Sequence, residues 1–175
     1  LIAEYDGWPN GLKFHRDGRI FIADYKHGIM QLDPASGRVT PHLLRAPVER
    51  FKGVNDLFFA ANGDLYFTDP PFGLPATFDD PKKELPFQGV YRVSRDGKIT
   101  LLTSDIKAPN GIAFSPDEKT LYITDVDTER PAWLAYDVNR DGTISNGRTF
   151  FDAAEFTNAQ KGAPDGMKTD NHGNL

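Results

Sequence analysis

The chain of 175 residues contains no cysteine. This excludes disulfides and thiolate metal sites and is compatible with either a cytoplasmic or a periplasmic setting. There is no apolar run of about eighteen residues, the length a membrane-spanning helix requires, so no membrane partner is expected. Positive charge is not in excess: 20 Lys and Arg stand against 25 Asp and Glu, a net charge of -5. With no basic cluster either, a nucleic-acid backbone finds no complementary field. Helical heptads are absent, and only "DAAEFTNAQK" (152–161) reads as a short helix. What remains is 39% hydrophobic and 26% charged, the composition of one globular domain without an internal boundary over 1–175.

A repeat is present. "PNGLKFHRDGRIFIAD" (9–24), "VNDLFFAANGDLYFTD" (54–69) and "PNGIAFSPDEKTLYITD" (109–125) share one order of parts. Each runs from an Asn through an apolar stretch, a polar turn and a second apolar stretch to a closing Asp. "GAPDGMK" (162–168) begins the same pattern with Asp165 where the others carry Asn10, Asn55 and Asn110. Recurrence at roughly 45–55 residues belongs to propeller-like arrays.

Within each repeat the apolar stretches are too short for helices and rich in Ile, Phe, Tyr and Thr, as strands are. "RIFIA", "DLYFT" and "TLYIT" are apolar on both alternating sets, which predicts sheets covered on both faces. Third strands ("GIMQLD", "GVYRVS", "AWLAYD") and fourth strands follow, separated by Gly-containing turns. The expected fold is all-β, a β-propeller of four-stranded antiparallel blades. In that geometry the entry to the first, innermost strand and the loop between strands two and three share one face. Asn10, Asn55, Asn110 and Asp165 would then stand at the mouth of a single channel.

Oxygen donors without His or Cys suit a hard divalent cation, calcium before magnesium, and make a poor zinc site. The alternative is turn chemistry, since Asn and Asp before Gly tolerate a left-handed backbone. Asn55 is followed by Asp56 rather than Gly, and Asp165 adds a charge a turn does not need.

The stretches "GVNDLFFAANGDLYFTDPPFGLP", "APNGIAFSPDEKTLYITD" and "GAPDGMKTDNHGNL" resemble the senescence marker protein, gluconolactonase and luciferin-regenerating enzyme family, nearest its microbial gluconolactonases. The resemblance covers essentially the whole chain. It implies a six-bladed propeller, a catalytic divalent cation on the axis (calcium, with zinc, magnesium or manganese as alternatives) and hydrolysis of a lactone, a sugar lactone foremost. It implies metal ligands at Asn55, Asn110 and Asp165. The Glu ligand of the family's "EGP" motif has no counterpart here, Glu4 lacking that context. Further strands are expected at both ends, so the chain reads as about three and a half blades.

A cation on the axis would polarise the lactone carbonyl, and a base is needed because calcium acidifies its bound water weakly. Asp165 is the candidate base, with Asp69 and Asp24 as alternatives. His27, Asp69, Phe72 and Asn10 are candidates for substrate contact, while His15, His42 and His172 fall on turns or outer strands. The insertion 70–88 is a candidate lid. "DVNRDGTISNGR" (137–148) imitates half of an EF-hand loop, but Arg148 replaces its bidentate Glu and its flanks read as strands. Two other functions fit the same scaffold: a propeller that binds a ligand or partner without chemistry, and a hydrolase acting on phosphotriesters.

Overall fold

In the computed structural model, which describes residues 2–45, 49–156 and 162–175, "RIFIA", "DLYFT" and "TLYIT" form the second strands of three separate four-stranded antiparallel sheets. The first sheet contains β1 (Pro9–Phe14), β2 (Ile20–Asp24), β3 (Gly28–Asp33) and β4 (Arg38–Leu43). The second contains β5 (Leu57–Phe59), β6 (Leu65–Asp69), β7 (Gly89–Val93) and β8 (Ile99–Thr103). The third contains β9 (Pro109–Phe114), β10 (Thr120–Asp125), β11 (Ala132–Val138) and β12 (Ile144–Asp152). Strand order follows chain order in every sheet. These are three blades of a β-propeller.

Two-sided apolar strands hold the blades together. Phe21 and Ala23 of β2 pack with Leu65 and Phe67 of β6 in one core cluster between the first and second blades. On the opposite face of β6, Tyr66 packs with Leu121 and Ile123 of β10 and with Phe114 of β9. Ile20 and Ile22 turn to the other side of the first blade, against Ala3 and Tyr5. A period of two with both sets apolar produces this stacking, because each sheet must bury both faces. The outer sides of the first and third blades nevertheless leave rings exposed: Phe14 on β1 is 78% exposed and Phe150 on β12 is 54% exposed.

First strands of neighbouring blades lie against each other, β1 on β5 and β5 on β9, so they line the inner side of the arc. The turn after each of them closes through one recurring backbone bond, His15 N to Arg19 O, Ala60 N to Asp64 O and Ser115 N to Thr120 O. The same bond recurs from Asp170 N to Asn174 O at 2.9 Å, at the same offset from Asp165 as the others have from their Asn. Residues 162–175 thus carry the fourth station of the repeat, although no strand forms there.

The EF-hand look-alike is the hairpin between β11 and β12, as its flanks indicate. Of the expected helix, residues 154–156 are helical, and 157–161 lie outside the described residues.

Candidate functional site

Asn10 and Asn110 are not turn residues. Both lie inside first strands, where Pro9 pairs with Asp24 and Leu12 with Ile22, and where Pro109 pairs with Asp125 and Ile112 with Ile123. Each Asn-Gly pair therefore supplies one extra residue opposite its partner strand, a β-bulge that re-aims a side chain. Neither Gly11 nor Gly111 has a left-handed φ. Their smallness answers a different need: a Cβ on Gly11 would stand 2.7 Å from Asn55 O, and one on Gly111 would stand 2.5 Å from Asp165 O. The turn reading of these pairs is corrected, and the close approach of the next blade is the physical reason.

Each station after Asn10 is fastened by the blade before it. The Asn55 carbonyl accepts from Gly11 N at 3.0 Å and from Asn10 Nδ2 at 2.9 Å. Thr68 Oγ1 accepts from Asp56 N at 3.2 Å and donates to the Asn110 carbonyl at 2.6 Å. Thr124 Oγ1 repeats this, accepting from Gly111 N at 2.6 Å and donating to the Asp165 carbonyl at 3.1 Å. A threonine hydroxyl can do both because it carries one donor and two acceptor lone pairs. Replacing Thr124 by Val strands both partners, at a cost of about 1–3 kcal/mol of stability. Thr124→Ser keeps the hydroxyl and should retain most of that stability. Equal urea midpoints for Thr124→Val and wild type would show the clip to be unimportant.

Asn10, Asn55, Asn110 and Asp165 line one pocket of about 400 Å³. Two of its oxygens have no partner among the described residues: Asn55 Oδ1 and Asn110 Oδ1 are buried and accept no hydrogen bond there. Buried acceptors are almost always satisfied, and an orphan costs about 1–3 kcal/mol. Asn55 is held with that oxygen free, because its Nδ2 donates to the Tyr25 hydroxyl at 2.7 Å. Burial raises the Tyr25 pKa; the Asn55 contact opposes the shift and the charge of Asp165 adds to it. Tyr25 therefore stays protonated across the neutral range. Asp165 is exposed, and its Oδ1 accepts from Gly166 N at 2.9 Å.

Two amide oxygens and a carboxylate fit a hard divalent cation. No three His, Cys, Asp or Glu side chains form a metal-type group among the described residues, so amides would have to supply most of the coordination. A second carboxylate, Asp56, lines the same pocket with 5% exposure. It accepts from Leu57 N at 2.9 Å and from Ile112 N of the next blade at 3.3 Å. Burial pushes its carboxyl up, against backbone hydrogen bonds and the charges of Lys168 and Lys13.

The remaining candidates lie elsewhere. Asp69 is fully enclosed and accepts from Lys52 N and Gly53 N at 2.8 and 2.9 Å. Asp24, also fully enclosed, accepts from Lys26 N, His27 N and the Tyr5 hydroxyl. Neither carboxylate reaches the axial pocket, which leaves Asp165 as its exposed acid. The His27 ring lies against the Asp6 carbonyl. Phe72 packs edge-on to Phe78 with centroids 6.2 Å apart. The insertion that carries it contributes nothing to the axial pocket's lining. Tyr25, Thr68 and Thr124 were not singled out by sequence. The only signal for them is position, Tyr25 directly after a closing Asp and each Thr directly before one.

Comparison with known proteins agrees with the propeller fold. Residues 3–175 match the family described as the SMP-30/Gluconolactonase/LRE-like region. A gluconolactonase of Zymomonas mobilis is 38% identical over 170 residues, covering 95% of this chain and 48% of its own length. A solved structure of a Xanthomonas campestris gluconolactonase superposes with a TM-score of 0.83 at 30% identity, covering 98% of this chain and 56% of that one. An Agrobacterium tumefaciens regucalcin, described as a calcium-binding protein, shares the fold with a TM-score of 0.53 at 22% identity, covering 95% of this chain and 65% of that one. The chain thus spans about half the length of that Zymomonas gluconolactonase. It belongs to the SMP-30/gluconolactonase/LRE-like family.

Proposed function

We propose that this protein is a lactone hydrolase, acting on sugar lactones at the axial pocket with the help of a divalent cation, calcium foremost. The observation that carries the reading is the pair of orphaned amide oxygens, Asn55 Oδ1 and Asn110 Oδ1, lining one pocket with the Asp165 carboxylate. Gluconolactonase relatives at 38% and 30% identity support the lactone as substrate class.

Asn55, Asn110 and Asp165 would hold the ion. When bound, such an ion supplies Lewis-acid polarisation of an ester carbonyl. The protein's own part is positioning and proton transfer. Tyr25 and Asn10 fix Asn55, one through the side-chain amide and the other through the backbone carbonyl. Thr68 and Thr124 fix the backbone of Asn110 and Asp165. With Oδ1 of Asp165 accepting from Gly166 N, its Oδ2 is free to take the proton of the attacking water. Addition of that water and cleavage of the ring C–O bond give a hydroxy acid.

The test is Asn110→Ala. Asn110 contributes an unpartnered side-chain oxygen, while its backbone carbonyl remains on Thr68 Oγ1. The substitution should weaken calcium binding about tenfold to a hundredfold with no loss of thermal stability. Calorimetric calcium titration alongside gluconolactone hydrolysis reads both effects. Unchanged calcium affinity together with unchanged hydrolysis would rule the reading out.

A further inference from the structure

Beside the axial pocket lies a second cavity of about 390 Å³, and its charge runs against that of the chain. Four of its lining residues are cationic, Lys26, Arg50, Lys52 and Lys82, and one, Glu84, is acidic. The whole chain carries a net charge of -5. Two of the cations are neutralised: Lys26 Nζ is paired with Asp6, and Lys52 Nζ with the buried Asp69. The other two are not. The Arg50 guanidinium and the Lys82 ammonium make no ion pair and no side-chain hydrogen bond among the described residues, although both line the same cavity. The nearby carboxylates are engaged chiefly by backbone groups, Glu84 Oε2 by Arg50 N, and Asp80 by Lys82 N and Ala76 N, with the Lys82 and Lys83 charges acting on Asp80 more weakly.

Tyr25 joins the two cavities. It lines this one, and its hydroxyl accepts from Asn55 Nδ2 of the axial pocket. A ligand seated on the axis therefore has a cationic recess on the far side of one tyrosine. A neutral polyol would call for mixed donors and acceptors. A guanidinium and an ammonium that line one cavity without an ion pair among the described residues instead match an oxyanion, to which such groups donate charge-assisted hydrogen bonds.

We propose that this cavity binds an anionic substituent, a phosphate monoester or a carboxylate, on the lactone that is opened at the axial pocket. The inference rests on the lactonase reading above and names its substrate class: acidic sugar lactones are preferred over neutral ones.

The experiment compares wild type with Arg50→Gln/Lys82→Gln on three substrates: a neutral aldonolactone, its phosphorylated form and a lactone with a free carboxylate. Both substituted side chains are exposed, so folding should survive, and Lys82→Glu provides a second variant. Wild type should favour a charged lactone, and whichever charged form is favoured identifies the substituent. The double variant should lower the charged-to-neutral ratio of kcat/KM about tenfold or more, an effect that shrinks at high salt. The same ratio in wild type and both variants overturns the proposal. If no lactone is hydrolysed, the lactonase reading fails by itself, and calorimetric titration with inorganic phosphate decides the remainder. Phosphate binding in wild type that is lost in the double variant upholds an anion site; equal binding in both overturns it.

Discussion

Replacing Asp165 by Asn should lower lactone hydrolysis about a thousandfold, the midrange of what a positioned base contributes. It should also weaken calcium binding by more than the loss of either amide ligand does. In the proposed site Asp165 would bring charge to a donor set otherwise made of Asn55 and Asn110 oxygens, and it is the exposed carboxylate of the pocket. The isosteric amide keeps Gly166 N–H satisfied and leaves the backbone carbonyl on Thr124 Oγ1, so the fold should be preserved. The two roles separate under saturating calcium. If charge alone matters, excess ion restores the rate; if Asp165 also takes the proton, the rate stays low, which is the result expected. Wild-type rate and affinity in Asp165→Asn would leave the pocket without the proposed chemistry.

The second large effect concerns stability. Lys52 Nζ and Asp69 Oδ2 lie 3.3 Å apart with side-chain exposures of 1% and 0%. Removing one partner of such a pair leaves an uncompensated buried charge and costs about 3–5 kcal/mol. Lys52→Met and Asp69→Asn should each lower the urea unfolding free energy by about that amount. Combined, they should recover most of the loss, because the neutral amide introduced by Asp69→Asn still offers an oxygen to the backbone N–H groups of residues 52 and 53. Additive losses in the double variant would show that the charges act independently and that the backbone bonds carry the effect.

The fold was legible because the signal was doubled. Along β2, Phe21 and Ile22 face opposite ways, as do Tyr66 and Phe67 along β6, and a strand apolar on both sides is rare outside a stack. The stations at Asn10, Asn55, Asn110 and Asp165 were legible for the same reason, since the repeat brings them back in one frame. The reason for each Gly was not. Asn-Gly has the same letters whether the glycine supplies a left-handed φ or makes room for Asp165 O across a blade gap, and only the second holds at Gly111. The surroundings of Asp69 were illegible for a related cause. A strand-end carboxylate looks free until its partner is known, and Lys52 sits in the preceding loop with no pattern linking the two. Thr68 and Thr124 looked like ordinary strand formers, because nothing in the sequence distinguishes a hydroxyl facing solvent from one bridging two backbones.

The threonine bridges also bear on how such a site could come about by duplication. Thr68 belongs to one blade and holds the Asn110 carbonyl of the next, and Thr124 does the same for Asp165. One repeat therefore encodes the tail of one joint and the head of another, never a complete station. Copying a repeat creates a new site only where two copies meet, and a lone blade inherits none.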